Sequence, residues 1–465
     1  MSEKNEIQVI SSEVDKYTNK LLDYLDNLNL PSNNVIVPVG ERLKVVNNLP
    51  MVLESMNDEA KERSVYISKF VFAVGAGLFD AALNYIWDET IKSLRIKVAR
   101  FDLEYFYIST ISDPDRLRKL KTEDDLRKID DWELIKGCSN IGILSEIGYR
   151  HMDHIRYMRN WASAAHPNHV ELTGFQLVGW LETCIREVIG KEPSEYGIQI
   201  QILLKNIREQ DLDDVSHTLS SLELVPTELV NSLLKTIFGM YIDPLMAVNI
   251  KNNIKLIAKR VWELSDNDLK YEIALQYSTY AANADVEKKN KANEFLGIVE
   301  GLSYLPKDTL TIEISNRVDG LYQAHNGINN FYSEPLHARE LYRYVPKNGK
   351  IPNEVFIKYI KTISLCYLGN GYGVSGAAYG YYEDLINRFE DKEIYEFLKL
   401  FFDIEFSSNL QSESFRNRCK KLIELFIKRT TGGKIMEILN NISLKTDSQL
   451  QYIGGTTEFK KFFEK

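Results

Sequence analysis

Apolar residues recur along most of this chain at spacings of three and four, the repeat of a helix that buries one face. Residues 12–30 (SEVDKYTNKLLDYLDNLNL) keep that repeat up to Pro31 and a Ser-Asn-Asn turn. The segment 34–40 (NVIVPVG) has the residues of a short strand, but Pro38 interrupts it. A long helical tract is predicted from about Asp58 to Arg100, with Gly75 and Gly77 as points of close helix contact or a small kink. Pro114 breaks the pattern within 101–122. From Asp130 onward Trp132, Ile135, Ile141, Leu144, Ile147, Ile155 and Met158 restore helical spacing. Proline disfavours helical geometry in the residue before it, so this tract should end at His166, ahead of Pro167. GFQLVGWLETCIREVIG (174–190) reads as the next helix, and the following Lys-Glu-Pro-Ser suggests a domain boundary near residue 195.

The remainder, 196–465, reads as successive helices joined by polar loops: NNIKLIAKRVWEL, EVFIKYIKTISLCYL, EIYEFLKLFFDIEF and RCKKLIELFIKR. No fixed period links them, so a strict solenoid is not implied and a stacked-helix domain is expected. Composition agrees, since 12 prolines and 25 glycines in 465 residues leave long uninterrupted stretches. A chain of that length exceeds one ordinary core. The expectation is an all-α protein with an N-terminal helical extension (1–58), a helical bundle (59–195) and a C-terminal helical domain (196–465).

A net charge of −9 argues against coating nucleic acid non-specifically, which needs a broad excess of Lys and Arg, but leaves room for a local basic site. Cys138, Cys184, Cys366 and Cys419 form no CxxC pair, so a disulfide framework or cysteine zinc site is not expected and a reducing cytoplasm is. The first residues are too polar for a signal peptide. The most apolar run, 70–87, contains Asp80 and Asn84 and is flanked by Lys69 and Asp88. It reads as a buried helix, so no membrane association is expected.

Arg159 and His166 stand seven residues apart, two helical turns, and so lie close to one face. Histidine can take a proton from a ribose 2′-hydroxyl near neutral pH or return one to a leaving oxygen. Arginine presents a planar, permanently charged fork to a phosphate gaining charge. The Asn160 amide can orient either partner. Such a reaction needs no metal or other cofactor, because the nucleophile belongs to the RNA. On spacing alone, Arg159 as a surface residue and His166 as a cap on the helix dipole remain open.

The string MRNWASAAHPN (158–168) resembles the Arg-polar-x(n)-His signature of HEPN-domain proteins, helical ribonuclease modules of bacterial phage-defence and toxin systems. Six residues lie between Arg159 and His166, at the long end of the family's spacing. The segments GLFDAALNYIW (77–87), DDWELIKGC (130–138) and IGYRHMDH (147–154) are similar to the helices that lead to that motif. The resemblance spans roughly residues 59–195. It implies Arg159 and His166 as the catalytic pair, Asn160 as their polar companion, a 2′,3′-cyclic phosphate product, and a homodimer with two motifs facing one cleft. It further implies abortive infection or antiphage defence as the setting, with the C-terminal domain as a sensor or a surface for a phage or regulatory protein. The alternative is a non-catalytic dimerisation or RNA-binding scaffold.

Other patterns compete in the same region. His151-Met-Asp-His154 and His166-Pro-Asn-His169 are HxxH pairs that could hold zinc with Asp153 or Glu146, although no HExxH is present and no metal is expected. Arg150, Arg156 and Arg159, with Arg95, Lys97 and Arg100, could form a track for an RNA backbone or a solvated face paired with acids. His154 would line the cleft. Asp80 and Asn84, four apart on an apolar helix, are expected to support the motif helix. Gly371-Tyr-Gly373-Val-Ser-Gly376 matches GxGxxG, but no strand is predicted before it and no βαβ series surrounds it. His217, His325 and His337 carry no spacing argument.

Overall fold

Every regular element among the described residues (3–162, 172–347, 350–431 and 433–464) of the computed structural model is a helix, so the protein is all-α. Contacts divide it into two compact units, Met1–Asp266 and Asn267–Lys465.

The first unit runs α1 (Glu3–Asn27), α2 (Val39–Leu53), α3 (Asp58–Arg63), α4 (Val65–Ala76), α5 (Phe79–Phe101), α6 (Leu103–Thr110) and α7 (Pro114–Leu117). It continues through α8 (Asp131–Asn140), α9 (Glu146–Ala162), α10 (Gly174–Cys184), α11 (Glu195–Glu209), α12 (Ser216–Leu222), α13 (Thr227–Ile242) and α14 (Val248–Leu264). Helix α5 is the centre, touched by α4, α6, α8, α9 and α10. It buries Phe79, Ala82, Leu83, Ile86, Trp87, Ile91, Leu94 and Val98, too many for a single stripe, because neighbours cover it on several sides.

The tract expected as one helix from 58 to 100 is three. Gly77 closes α4 in the left-handed region at φ 80°, and a Cβ there would lie 2.7 Å from the Arg42 guanidinium. The residue must therefore be glycine for both backbone and space. No described helix is long and apolar enough to cross a membrane. The segment 34–40 forms no strand: the Val37 amide donates to the Gly77 carbonyl at 3.0 Å, and α2 starts at Val39. The tract from Asp130 breaks over 141–145, and Trp132 and Ile147, at the starts of the two helices, are 52% and 68% exposed rather than core.

Glu133 of α8 receives the Arg116 fork on both oxygens, and its second oxygen also accepts from the Asp130 amide. The Arg116 guanidinium holds the Glu133 carboxyl below its ordinary value of 4.5, against the opposing effect of burial. The lowered folded value means this pair contributes stability above pH 4.5 that is lost as pH falls through the folded value. Acid titration of Glu133→Gln should accordingly show a shallower loss of stability below pH 4.5 than wild type.

The boundary expected near residue 195 falls inside the first unit. Ser194 donates its amide to Gly142 at 2.8 Å, Arg208 bonds Asp102 at 2.6 Å, and α13 packs on α6 and α8. Residue 58 also falls inside the first unit, where α2 packs on α10 and α4.

The second unit comprises α15 (Asn267–Ala282), α16 (Val286–Ile298), α17 (Lys307–Asn326), α18 (Asn330–Tyr344), α19 (Asn353–Leu368), α20 (Gly376–Ile386) and α21 (Asp391–Lys399). The helices α22 (Ile404–Asn409), α23 (Glu413–Arg429), α24 (Lys434–Ser443), α25 (Asp447–Gln451) and α26 (Thr457–Lys461) complete it. Neighbouring helices pair in sequence, and Phe397 sets edge-on contacts with Phe401, Phe406 and Phe426 at centroid distances of 6.1, 5.8 and 5.3 Å.

Candidate functional site

Helix α9 buries Gly148, Met152 and Ile155. Arg159 follows at the i+7 and i+4 positions from Met152 and Ile155, so the stripe that packs inward ends on a guanidinium. There the helix meets α5, and the side chain is half-buried. Arg159 Nε donates to Asn84 Oδ1 at 2.8 Å and Nη1 donates to Asn160 Oδ1 at 3.0 Å. Asn84 in turn donates to the Asp80 carbonyl at 2.9 Å, four residues back along α5. Two amide oxygens thus fix the fork, and neither bond uses Nη2.

Asp88, one turn beyond Asn84, faces the same junction. Burial pushes its carboxyl above the usual carboxylate range, Asp131 adds to the rise, and Arg159 and Lys69 oppose it. Asp131 is itself held by Trp87, whose Nε1 donates to it at 2.7 Å, with Arg95 at 3.8 Å. Asp88 and Arg95 also line a cleft of about 380 Å³ with Tyr66, Ile91, Lys92 and Arg127. Lys69 lies 4.8 Å from the Tyr66 ring centre and 5.7 Å from that of Tyr85, so cations and aromatic rings alternate beside the cleft.

His166, Pro167 and His169 lie outside the described residues. The structure brings together Arg159, Asn160 and Asn84, with Arg95 near Asp131. Asp80, expected to support the motif helix, is exposed in the first turn of α5 and contributes its carbonyl rather than its carboxylate, to Asn84. Arg156 is paired with Asp153 through bonds of 3.0 and 2.7 Å. At about 100° per residue, Arg150 falls about 180° around α9 from Arg159, and His154 about 140°. These two are exposed on the far side of the helix and do not join the Arg159 face. Lys97 turns inward to the carbonyls of Val188 and Lys191, where a π-helical turn (Ile185–Ile189) ends, so it is no part of a surface track.

Of the HxxH pairs, His166 and His169 lie outside the described residues, and His151 and His154 form no metal-ligating group among the described residues. His151 is half-buried with Nδ1 3.8 Å from Glu187, His154 is exposed, and Asp153 is committed to Arg156. The GxGxxG segment follows α19, a helix, not the strand a dinucleotide fingerprint requires. Sequence reasoning missed Asp131, which pairs with Trp87 across 44 residues, and noted Asp88 only as a flank of the apolar run; the spacing of Asn84 and Asp88 was the available signal. No protein-family model, curated protein or solved structure matches this chain.

Proposed function

We propose that the protein is a metal-independent endoribonuclease of the HEPN type, acting as a homodimer in bacterial antiphage defence or abortive infection. The observation that carries this reading is the Arg159 fork, half-buried at the end of the α9 stripe and held by the Asn84 and Asn160 amides. An arginine kept only for solubility would not sit at a helix junction with two side-chain restraints. Restraint of this kind is what a group needs to meet charge as it develops in a transition state.

In this reading the ribose 2′-oxygen attacks the adjacent phosphorus while His166 removes its proton. The P–O5′ bond breaks, a proton returns to the departing 5′-oxygen, and a 2′,3′-cyclic phosphate remains on the other fragment. Arg159 holds the non-bridging oxygens through this change. Arg95, which lines the cleft beside Asp88, offers a further contact there. Control of the activity would reside in the unit Asn267–Lys465, through a phage or regulatory protein.

The test is incubation of the purified chain with labelled RNA in excess chelator. Fragments ending in 2′,3′-cyclic phosphate are the expected products. RNA bound but left intact would instead favour the scaffold, and cleavage abolished by chelator would overturn the metal-free chemistry.

Asn84→Ala removes the restraint on Arg159 Nε while leaving the charge. Misplacement of a catalytic group by about 1 Å costs about 100-fold, so single-turnover cleavage by this variant should fall by about 10- to 100-fold. Asn84 is half-buried, and its thermal denaturation curve should stay close to wild type.

A further inference from the structure

Four helices of the second unit converge on a polar cluster inside an otherwise apolar core. His325 ends α17, Asn330 and Glu334 stand on α18, Cys366 is on α19 and Tyr382 on α20. His325, Glu334, Cys366 and Tyr382 are each no more than 2% exposed. Potential donor atoms of His325, Glu334 and Cys366 all lie within 4.8 Å of one another. We propose that this cluster is a structural site for a zinc-class divalent metal ion, with His325, Glu334 and Cys366 as its ligands.

Imidazole nitrogen, carboxylate oxygen and thiolate sulfur are the mixed donor set that suits such an ion. Charge favours it too. A dication, one thiolate, one carboxylate and a neutral imidazole sum to zero, which is what a water-free interior requires. The surroundings already orient the carboxylate: Tyr382 donates to Glu334 Oε2 at 2.8 Å and Asn330 donates to Oε1 at 2.9 Å. Outer hydrogen bonds of this kind fix the ligands of metal sites.

Protein partners alone leave the cluster incomplete. His325 Nδ1 lies 3.0 Å from Glu334 Oε1, but its Nε2 is buried with no hydrogen-bond partner. A cysteine binds such an ion as its thiolate, so binding would displace the Cys366 proton, and its free energy would fasten α17 and α18 to α19.

The experiment uses the full untagged chain, purified under reducing conditions. Elemental analysis should find about one equivalent of zinc per chain, and dialysis against a strong chelator should remove it and lower the melting temperature. Titration of the stripped chain with Co²⁺ should produce thiolate-to-metal charge-transfer absorption. That absorption should be absent in Cys366→Ser and persist in Cys138→Ser, a buried cysteine of the other unit. Wild-type chain that retains no stoichiometric zinc and gives no cobalt charge-transfer band would overturn the site, whether or not the variants fold. So would a band unchanged by Cys366→Ser. In either case the cluster is a hydrogen-bonded group around His325 and Glu334.

Discussion

Arg159→Ala should reduce RNA cleavage by about 100- to 1,000-fold, the usual cost of removing one preorganised donor from a developing oxyanion. The size follows from how the side chain is held. Asn84 and Asn160 take Nε and Nη1, so in the proposed reaction the guanidinium would meet a phosphate with its rotamer already fixed. Arg159→Lys keeps the charge but cannot satisfy both amides and still present a second nitrogen, so it should recover only a small part of the rate. Both variants should melt near wild type, because the residue is half-exposed at the rim of the α9 stripe. Single-turnover cleavage on denaturing gels, with His166→Ala in parallel, gives the measurement. Wild-type rates in Arg159→Ala would place the chemistry elsewhere.

Much of the fold was legible because amphipathic helices announce themselves through spacing. The helices α1, α9, α14, α19 and α23 all occupy tracts whose apolar residues recur at three and four. What the repeat concealed were the breaks. Between Val65 and Phe101 apolar residues continue through the turn at Gly77, and only the backbone geometry shows that α4 and α5 are separate. The unit boundary was hidden for a related reason. A Gly-Lys-Glu-Pro-Ser loop looks like a linker, yet its Ser194 amide is bonded to Gly142. Linker composition describes the local chain and says nothing of what docks on it afterwards.

The candidate sites divide along the same line. Arg159 and Asn160 were visible because their spacing from His166 is local. Asn84 was visible as a polar residue in an apolar run, and its bond to Arg159 gives that oddity a physical reason. Arg150 and His154 lie off the Arg159 face, because proximity along the sequence ignores the turn of the helix. The His325 cluster was not visible at all. Its ligands come from three helices, with Glu334 9 positions after His325 and Cys366 32 positions after Glu334, and no short pattern encodes that meeting.

Arg42 carries the largest expected effect on stability. The residue is a cation only 3% exposed, and among the described residues its hydrogen bonds go to uncharged acceptors. Its Nε donates to the Val37 carbonyl at 2.9 Å, and Nη1 donates to Thr18 Oγ1 at 2.7 Å and, more weakly, to the Gly75 carbonyl at 3.4 Å. One fork thereby joins α1, the loop before α2 and the last turn of α4, where unpaired carbonyls of a helix end need donors. A cation at that end also meets the negative pole of the helix. Burial lowers the guanidinium pKa, with Asp15 opposing, but an arginine so placed stays charged at neutral pH. Arg42→Met fills similar space and strands three acceptors in the interior, at a cost of about 2–4 kcal/mol. Arg42→Lys, with one nitrogen in place of a fork, should fall between Met and wild type. Urea unfolding followed by tryptophan fluorescence would measure both, since Trp87 lies in the core of the same unit. A midpoint unchanged in Arg42→Met would mean that water reaches these carbonyls freely. The approach of Gly77 to the guanidinium makes the converse substitution informative: Gly77→Ala leaves every acceptor in place but pushes the Arg42 guanidinium off them. A combined loss smaller than the sum of the two would identify the fork and its glycine as coupled, the remainder of the Gly77→Ala cost being its left-handed backbone.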